Sequence, residues 1–537
     1  MSASPPTTDS VVLSSSPGGA REDCLQNSDL VAEIVQHIGG GSSAEINELR
    51  RGRYSLLQVA LTCRALSPSA IKFLWRSLDN LLPLLQLLPS FTRRNGIYYL
   101  LGAITPDEWD KFDRYAAYVQ EIHDESFPHA RNIEPSVYLQ LAMRKAPIIP
   151  NLRRMKFMSA SGRSPSEILL YALSPLREVE IKDNSNGRGG SDTATMGEVI
   201  FSALGGSATR NSWITTLVLT GQPYTILSDN ITLDWLESLT LEDMKGTMDA
   251  SVIRWIGSIP TLHSLTLMRI RVIREQDVQD RSLLLKRGSF KGLLHLRMEG
   301  FPDSHPGLVF LRLISSTILQ TLTLQIESGQ RSRPNPTAAE IKDFPRIIAQ
   351  WSQSLCDLEL SAPVFCDQED FHSLFGHLRH LRRLHLRVTA QTLEAGEFFS
   401  SLGVLSDIET LSLNLTFADR LGMDLVVRLA QHCPKLQFLQ IPLPSTQLTL
   451  FSTTPVSGHN LKTLVVLPPN PQFNKLNNSL VDAVNVARHL DRLFPRLTTV
   501  RYYIADGSQG SQIWKNVQEL IFAFQDVRRC AKIQQIG

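Results

Sequence analysis

The residues best suited to chemistry lie between His377 and Arg387, where HLRHLRRLHLR puts seven basic or imidazole side chains into eleven positions. Arginine pairs bidentately with carboxylate and phosphate, so such a run suits a docking point for an acidic or phosphorylated segment. A charge run is also the ordinary mark of a solvated face, and Asp357 and Glu359 lie close enough upstream to neutralise this one. Cys366, His372, His377, His380 and His385 fall in the same region, but without the tight C-x-x-C pairs that zinc sites use, so no metal site is expected. Elsewhere there is no G-x-x-x-x-G-K-[ST], no H-E-x-x-H and no G-x-S-x-G. The run Gly187-Arg-Gly189-Gly190 lacks a strand-to-helix context and reads as a flexible linker. Nothing brings a nucleophile, a base and an oxyanion site together. The chain therefore reads as a binding protein with no cofactor and not as an enzyme.

The bulk composition narrows the partners. At 537 residues the chain exceeds a single compact core. Lys plus Arg is 54 against 52 for Asp plus Glu, a net charge of +2, which gives no global reason to expect nucleic acid or an anionic membrane. The six cysteines are scattered and read as reduced thiols, pointing to the cytoplasm or nucleus. The Ser/Pro-rich N-terminus does not have the form of a secretory signal, and no apolar run reaches the roughly 18 residues of a membrane span.

The elements that must carry the basic run belong to a repeat. The pattern L-x-x-L-x-L, with other apolar residues sometimes replacing Leu, recurs thirteen times. It starts at Leu152, Leu176, Ile214, Leu236, Leu262, Leu293, Leu319, Leu355, Leu381, Ile408, Leu436, Leu461 and Leu497. Most steps are close to the roughly 20 to 29 residues of a leucine-rich repeat. Side chains alternate along a strand, so the fourth and sixth positions point inward together and their neighbours face outward. Helical segments such as Asp424 to Cys433, Asp343 to Leu355 and Val481 to Phe494 return the chain, and Pro434 stops the first of these. The expected fold is an α/β leucine-rich-repeat solenoid, a horseshoe with an all-α N-terminal domain. The register assigns Arg297, Asp357, Glu359, Arg383, His385, Arg387, Phe438, Arg501 and Tyr503 to the open concave face, as candidates for holding a target. Many such repeats carry Asn or Cys three residues after the third Leu. Here Gln222, Met244, Ile270 and Pro363 stand there, which predicts different and less regular turns.

A helical segment precedes the repeats. Asp29 is the predicted N-cap of a helix over Leu30 to Ile38, ended by Gly39 to Gly41. A polar, basic loop with Arg50, Arg51 and Arg53 follows, then a helix over Leu56 to Leu66. Ser67 is the predicted cap of a third helix, with Pro68 first, running to about Leu78. Pro106 opens another helix, and Gln512 to Arg529 reads as a closing one.

Leu30-Val-Ala-Glu-Ile34-Val-Gln-His-Ile38, Leu56-Leu57-Gln-Val-Ala60-Leu61-Thr-Cys63-Arg64 and Phe73-Leu74-Trp75-Arg76-Ser-Leu78 together resemble an F-box. The likeness extends through Asp107-Glu-Trp109-Asp-Lys-Phe112, Pro135-Ser-Val-Tyr138 and Ile149-Pro-Asn-Leu152 to the F-box proteins abundant in mushroom-forming fungi. Gln431-His-Cys433-Pro434-Lys-Leu436 resembles the repeats of F-box proteins with leucine-rich repeats. The sequence departs from the family in having Leu30-Val31 where Leu-Pro is usual, and in a long first loop. The resemblance implies docking to a Skp-type adaptor, and through it a cullin–RING ubiquitin ligase, by Leu30, Ile34, Ile38, Leu57, Ala60, Leu61, Leu66 and Trp75. It also implies a target protein held by the repeats. The same helices read without the resemblance are a cap on the array, which leaves a repeat scaffold with no ligase link as the alternative. The expected layout is a disordered tail over 1–22, the F-box-like domain over 23–90, a helical linker or cap over 91–150, repeats over 151–505 and a capping helix over 506–537.

Overall fold

A computed structural model describes residues 25, 27–39, 46–124, 133–144, 147–159, 167, 170–171, 174–183, 214–227, 233–271, 289–301, 304–326, 338–362, 368–417, 423–443, 459–467, 480–502 and 510–536. The chain divides into two compact units, Met1–Ile214 and Thr215–Gly537.

The first unit opens with three helices, α1 (Ser28–Gly39), α2 (Ile46–Thr62) and α3 (Ser67–Arg76). Val35, Leu56 and Ala70 form their core, with Ile38, Val59, Ala60, Phe73 and Leu74 packed around it. Gly52 is placed where a Cβ would collide with the carbonyl oxygen of Gly39, so the absence of a side chain lets α1 and α2 cross closely. The cap of α1 is Asn27 and not Asp29. The Asn27 Oδ1 accepts the N–H groups of Asp29 and Leu30 at 3.0 and 3.2 Å, leaving Asp29 in the first turn, where the helix dipole favours it. Arg50, Arg51 and Arg53 lie on α2 and not in a loop, because the helix begins ten residues before Leu56, at Ile46. Arg53 donates to Asp79 at 2.7 Å and to the Ser77 carbonyl at 3.0 Å. Ser67 makes no capping bond. Leu66 is already helical at φ −85°, ψ −19°, and the Ser67 N–H reaches back to the Cys63 carbonyl at 2.9 Å, so the turn is closed by backbone alone.

The third helix stops at Arg76 because Ser77–Leu78 is a strand, β1. It pairs in parallel with a later strand, Glu121–Asp124 (β4 in chain order), which pairs in turn with β5 (Arg154–Ser159), and β5 with β6 (Glu178–Asp183). The parallel ladder thus takes in two strands upstream of 151. Between them the chain forms a short helix, α4 (Leu82–Leu85), and an antiparallel hairpin of β2 (Phe91–Arg94) and β3 (Ile97–Leu100). Asn95 (φ 51°) and Gly96 (φ 85°) make its two-residue turn, so 91–150 is not wholly helical. Helix α5 (Pro106–Ala116) starts at a capping box in which Thr105 and Glu108 satisfy each other's backbone N–H. Arg144, just beyond α6 (Pro135–Ala142), grips Asp113 with two bonds of 2.6 Å and lies over the Trp109 ring at 4.3 Å.

The second unit is a run of parallel strands: β7 (Thr216–Thr220), β8 (Ser238–Glu242), β9 (Ser264–Met268), β10 (His295–Phe301), β11 (Thr321–Ile326), β12 (Asp357–Ala362), β13 (Arg383–Leu393), β14 (Thr410–Phe417), β15 (Phe438–Pro442), β16 (Thr463–Leu467) and β17 (Thr499–Tyr502). Each pairs with its neighbour in sequence and in the same register. All thirteen sequence motifs of the chain fall on strands of this kind. The fourth and sixth positions are buried, as at Leu217 and Leu219 or Leu411 and Leu413. Helices return the chain: α7 (Ala250–Ser258), α8 (Ser304–Leu313), α9 (Ala338–Ala349), α10 (Gln368–His377), α11 (Ala395–Leu402), α12 (Met423–His432) and α13 (Leu480–Leu493). Strand, helix and strand in parallel order over repeats of this length make the fold an α/β leucine-rich-repeat solenoid.

The turns after the strands are more regular than the missing Asn predicts. Two residues past the sixth position the backbone is left-handed in four successive repeats, at Gly221 (φ 70°), Asp243 (φ 48°), Arg269 (φ 52°) and Gly300 (φ 68°). The first three of these residues donate their N–H to the next repeat, to Glu242, Met268 and Glu299 carbonyls at 2.9, 3.0 and 2.7 Å. This bond does the work expected of the absent Asn. Met244 and Ile270 then fill the Asn position as buried apolar residues, and Gln222 is buried there as well. Arg269 is an unusual left-handed residue, held by Glu242 at 2.5 Å and Asp243 at 2.6 Å. Pro363 lies outside the described residues. On the other side of the strands, Thr261, Ser316 and Ser354 each donate a hydroxyl to a carbonyl of the preceding repeat, at 2.9, 2.8 and 2.8 Å.

The final strand would leave an open edge. Helix α14 (Gly510–Ile536) covers it: Trp514, Val517 and Ile521 are buried, Gln518 takes up the Val500 N–H, and Gln525 donates to the Leu497 carbonyl at 2.7 Å. Replacing Gln518 and Gln525 together by Ala is expected to cost about 2 kcal/mol in urea unfolding, from two backbone groups left without partners. Self-association in sedimentation should rise as the edge is bared. An unchanged midpoint would mean that water replaces both side chains.

Candidate binding surfaces

Two surfaces collect the residues singled out by sequence. On the helical part of the first unit, Leu30 and Ile34 lie four residues apart on α1, and Leu57 and Leu61 four apart on α2. All four are exposed, Leu61 to 73%. The buried stripe of α1 is the adjacent one, Val31 and Val35. The remaining sequence-assigned residues have other surroundings. Ile38 and Ala60 are half-buried against the bundle core. Leu66 is half-buried where α3 begins. Trp75 is half-buried with its ring 4.8 Å from that of Tyr115 on α5. The structure thus divides the eight into four exposed apolar side chains and four that are half-buried. Tyr54, one turn before Leu57 on α2 and 66% exposed, was missed by sequence reasoning, although its i−3 spacing places it near Leu57.

The second surface is the strand face that carries the non-leucine positions. In the first unit this face is a lattice of compensated charge. Arg154 donates to Glu178 at 2.5 Å and lies 3.9 Å from Glu121, with Arg76 3.8 Å away on the other side. Glu180 takes Lys156 at 3.1 Å and Lys182 at 2.7 Å. His123 Nε2 is 3.2 Å from Glu121, and both are buried. Glu121 and His123 escaped sequence reasoning because β4 shows only part of the repeat pattern. Burial alone would raise the Glu121 carboxyl, but His123, Arg154 and Arg76 together hold it below the usual carboxylate range. Glu180 follows the same rule, with burial overcome by Lys182 and Lys156.

In the second unit the register brings the assigned residues into rows. Asp357 faces Arg383, Glu359 faces His385, and Ser361 faces Arg387 across β12 and β13. Arg383 pairs with Asp357 at 2.9 Å. Glu359 accepts a hydrogen bond from the Gln325 side-chain amide at 2.8 Å. Arg297 pairs with Glu299 at 2.6 Å. Phe438 is half-buried and Arg501 exposed, each at an outward position of its strand. Tyr503 lies outside the described residues. Of the run His377 to Arg387, four leucines are buried and only Arg383, His385 and Arg387 stand on this face. His380 and Arg382 instead sit near Asp407, whose carboxyl is held below its usual range by Lys435 at 2.7 Å and, more weakly, by those two.

No metal-binding group of three or more His, Cys, Asp or Glu occurs among the described residues. His372 is engaged instead with the Ser401 hydroxyl at 3.0 Å, and Cys366 lies outside the described residues. No helix of the described residues is long and apolar enough to cross a membrane.

No family model matches the chain, and no curated protein matches it. Among solved structures it is similar to TLR13 in a complex with ssRNA13, at 15% identity over 72% of this chain and 52% of that one, with a TM-score of 0.41. It is also similar to an internalin (inlF) from Listeria monocytogenes, at 13% identity over 69% of this chain and 89% of that one, with a TM-score of 0.36. The chain spans about half the length of the TLR13 chain it matches. The repeat fold follows from the chain's own ladder and not from these distant likenesses.

The depressed carboxyls make a pH prediction. A folded value below the ordinary 4.5 adds stability that is present above that value and is lost as pH falls through the folded one. Unfolding of the full chain between pH 6 and pH 3 should therefore show a steep loss below about pH 4.5. The E121Q/E180Q double variant should be less stable at pH 6 and should lose less on acidification, as denaturant midpoints would reveal. Parallel slopes for the two proteins would count against the charge lattice.

Proposed function

We propose that this chain is a substrate receptor of an F-box-type cullin–RING ubiquitin ligase. The three-helix element docks a Skp-type adaptor, and the repeat face holds a target protein. One observation carries the reading: Leu30, Ile34, Leu57 and Leu61 are exposed on a bundle that already has its own core in Val35, Leu56 and Ala70. A bundle serving only to cap the repeats has no use for large apolar side chains on its outer side, whereas grouped exposed apolar residues mark an interaction site. The motifs of α1, α2 and α3, in that order, supply the identity of the partner. The chain itself then contributes proximity, raising the effective concentration of the target near a ubiquitin-charged enzyme. A ligase receptor of this type works in the cytoplasm or nucleus.

A second reading, a repeat scaffold with no ligase link, draws on Ile38, Ala60 and Trp75, which the first unit uses for its own packing. Adaptor co-purification separates the two. Because Leu30 and Ile34 are exposed, L30D and I34D should leave far-UV circular dichroism and unfolding unchanged. Each side chain buries roughly 1 kcal/mol of apolar area in a complex, and a buried Asp costs more, so each variant should bind the adaptor at least about tenfold more weakly. L61D should behave alike. Retention of adaptor by all three well-folded variants would leave the scaffold reading.

A further inference from the structure

Carboxylates on the open strand face of the second unit are unevenly placed. Glu242, Glu299, Asp357 and Glu359 all fall on β8 to β12. From β13 to β17 the described outward positions carry no carboxylate at all, while Arg383, His385 and Arg387 line β13. Arg383 is answered by Asp357. Among the described residues, Arg387 and His385 make no ion pair; Glu359 faces His385 in register, and Ser361 faces Arg387. In register beside them on β14 stand Ser412 and Asn414, neutral groups that can give or take hydrogen bonds. On β15, Phe438 sits in register with Thr410 and is half-buried.

We infer that the β13–β15 face docks an acidic segment of a partner protein, with carboxylates against Arg387 and His385 and an apolar side chain on Phe438. The proposal rests on the strand face being the target-binding surface of the receptor reading and gives that target a chemistry. The dimensions suit an extended peptide. His385 and Arg387 are two residues apart on one strand, about 7 Å, which matches carboxylates on alternate residues of an extended chain. Phe438 is two strands away, about 10 Å across the sheet, within reach of a side chain from the same segment. Arg387 offers a planar fork to a carboxylate, and Asn414 beside it can complete the bonding. Long polyanions fit less well. Asp357 and Glu359 border the site immediately on β12 and would repel a nucleic-acid backbone running on past it.

The test uses the full chain and fluorescence anisotropy with labelled twelve-residue peptides. One carries Glu at alternate positions and a single Phe. A second has every Glu replaced by Gln, and a third is the Gln peptide with one phosphoserine. A twelve-nucleotide single-stranded RNA is the fourth probe. The Glu peptide should bind at least tenfold more tightly than the Gln peptide, and its affinity should fall as salt is raised. R387E should lose at least tenfold and R387Q less. D357N should bind the Glu peptide more tightly, by freeing Arg383, a gain that misfolding cannot imitate. Equal binding of the Glu and Gln peptides, an R387E variant that binds like the parent, binding by the phosphoserine peptide alone, or tighter binding of the RNA would each overturn the proposal. Adaptor co-purification by R387E should be unchanged. An unmutated chain that retains adaptor but does not prefer the Glu peptide thus overturns this inference only, and an unmutated chain that binds the Glu peptide but not the adaptor overturns the receptor reading only.

Discussion

Each repeat of this chain buries its leucines only because the next repeat lies against it. A strand of five residues with two inward side chains has too little apolar area to hold itself, and its backbone polar groups point sideways. The structure solves both problems with one contact. The carbonyl just before each strand accepts two N–H groups from the following repeat, as Arg382 does from Glu409 and Thr410 at 2.8 and 3.0 Å, and Glu409 from Gln437 and Phe438 at 2.8 and 3.1 Å. That paired acceptance fixes the register, and the register fixes which side chains share a row. Everything on the open face, including the alignment of Asp357 with Arg383, is a consequence of it. The same dependence explains why β17 needs helix α14, whose glutamines bond the backbone groups that a neighbouring strand would otherwise take.

Much of this is legible in the sequence, because a period-two alternation locked to a repeat of constant form is a strong signal. All thirteen motifs are strands. What the sequence hides is whatever depends on a partner far away. Ser77–Leu78 reads as the end of a helix and becomes a strand only through Glu121 and Ile122. Glu121–Asp124 hides because Asp124 takes the place of a leucine. The Asn95-Gly96 turn, by contrast, is a readable hairpin signal inside the segment expected to be helical. The turn positions are half legible: Gly221, Gly300 and Asp243 are residue types that favour left-handed backbone, but Arg269 is not, and only its two carboxylate partners account for it.

The helical element shows the same limit in another form. Helix α1 carries two apolar stripes one residue apart, Leu30 with Ile34 and Val31 with Val35. Periodicity identifies both and cannot say which one faces in. The packing of Leu56 and Ala70 decides it in favour of the valines. That choice matters for function, since a helix with a single apolar stripe can either join a core or meet a partner, whereas a helix with two can do both. The F-box resemblance assigned eight residues to one surface. The folded bundle keeps four outward, gives Ile38, Ala60 and Trp75 a share in its own packing, and leaves Leu66 half-buried.

Charge is organised by the same geometry to different ends in the two units. On β4, β5 and β6 acids and bases alternate from strand to strand in register, so that Glu121, Arg154 and Glu178 answer one another across the ladder. Such a face is electrostatically quiet, because its carboxylates already have neighbours of opposite sign. On β12 and β13 the alternation starts, with Asp357 beside Arg383, and then stops, since β14 offers Thr410, Ser412 and Asn414. A parallel ladder places equivalent positions about 4.8 Å apart, so Ser361 on one side and Asn414 on the other leave Arg387 without a compensating neighbour. Binding capacity on this face arises where the compensating pattern is interrupted, and a change of a single outward residue can move that boundary without disturbing the leucines beneath.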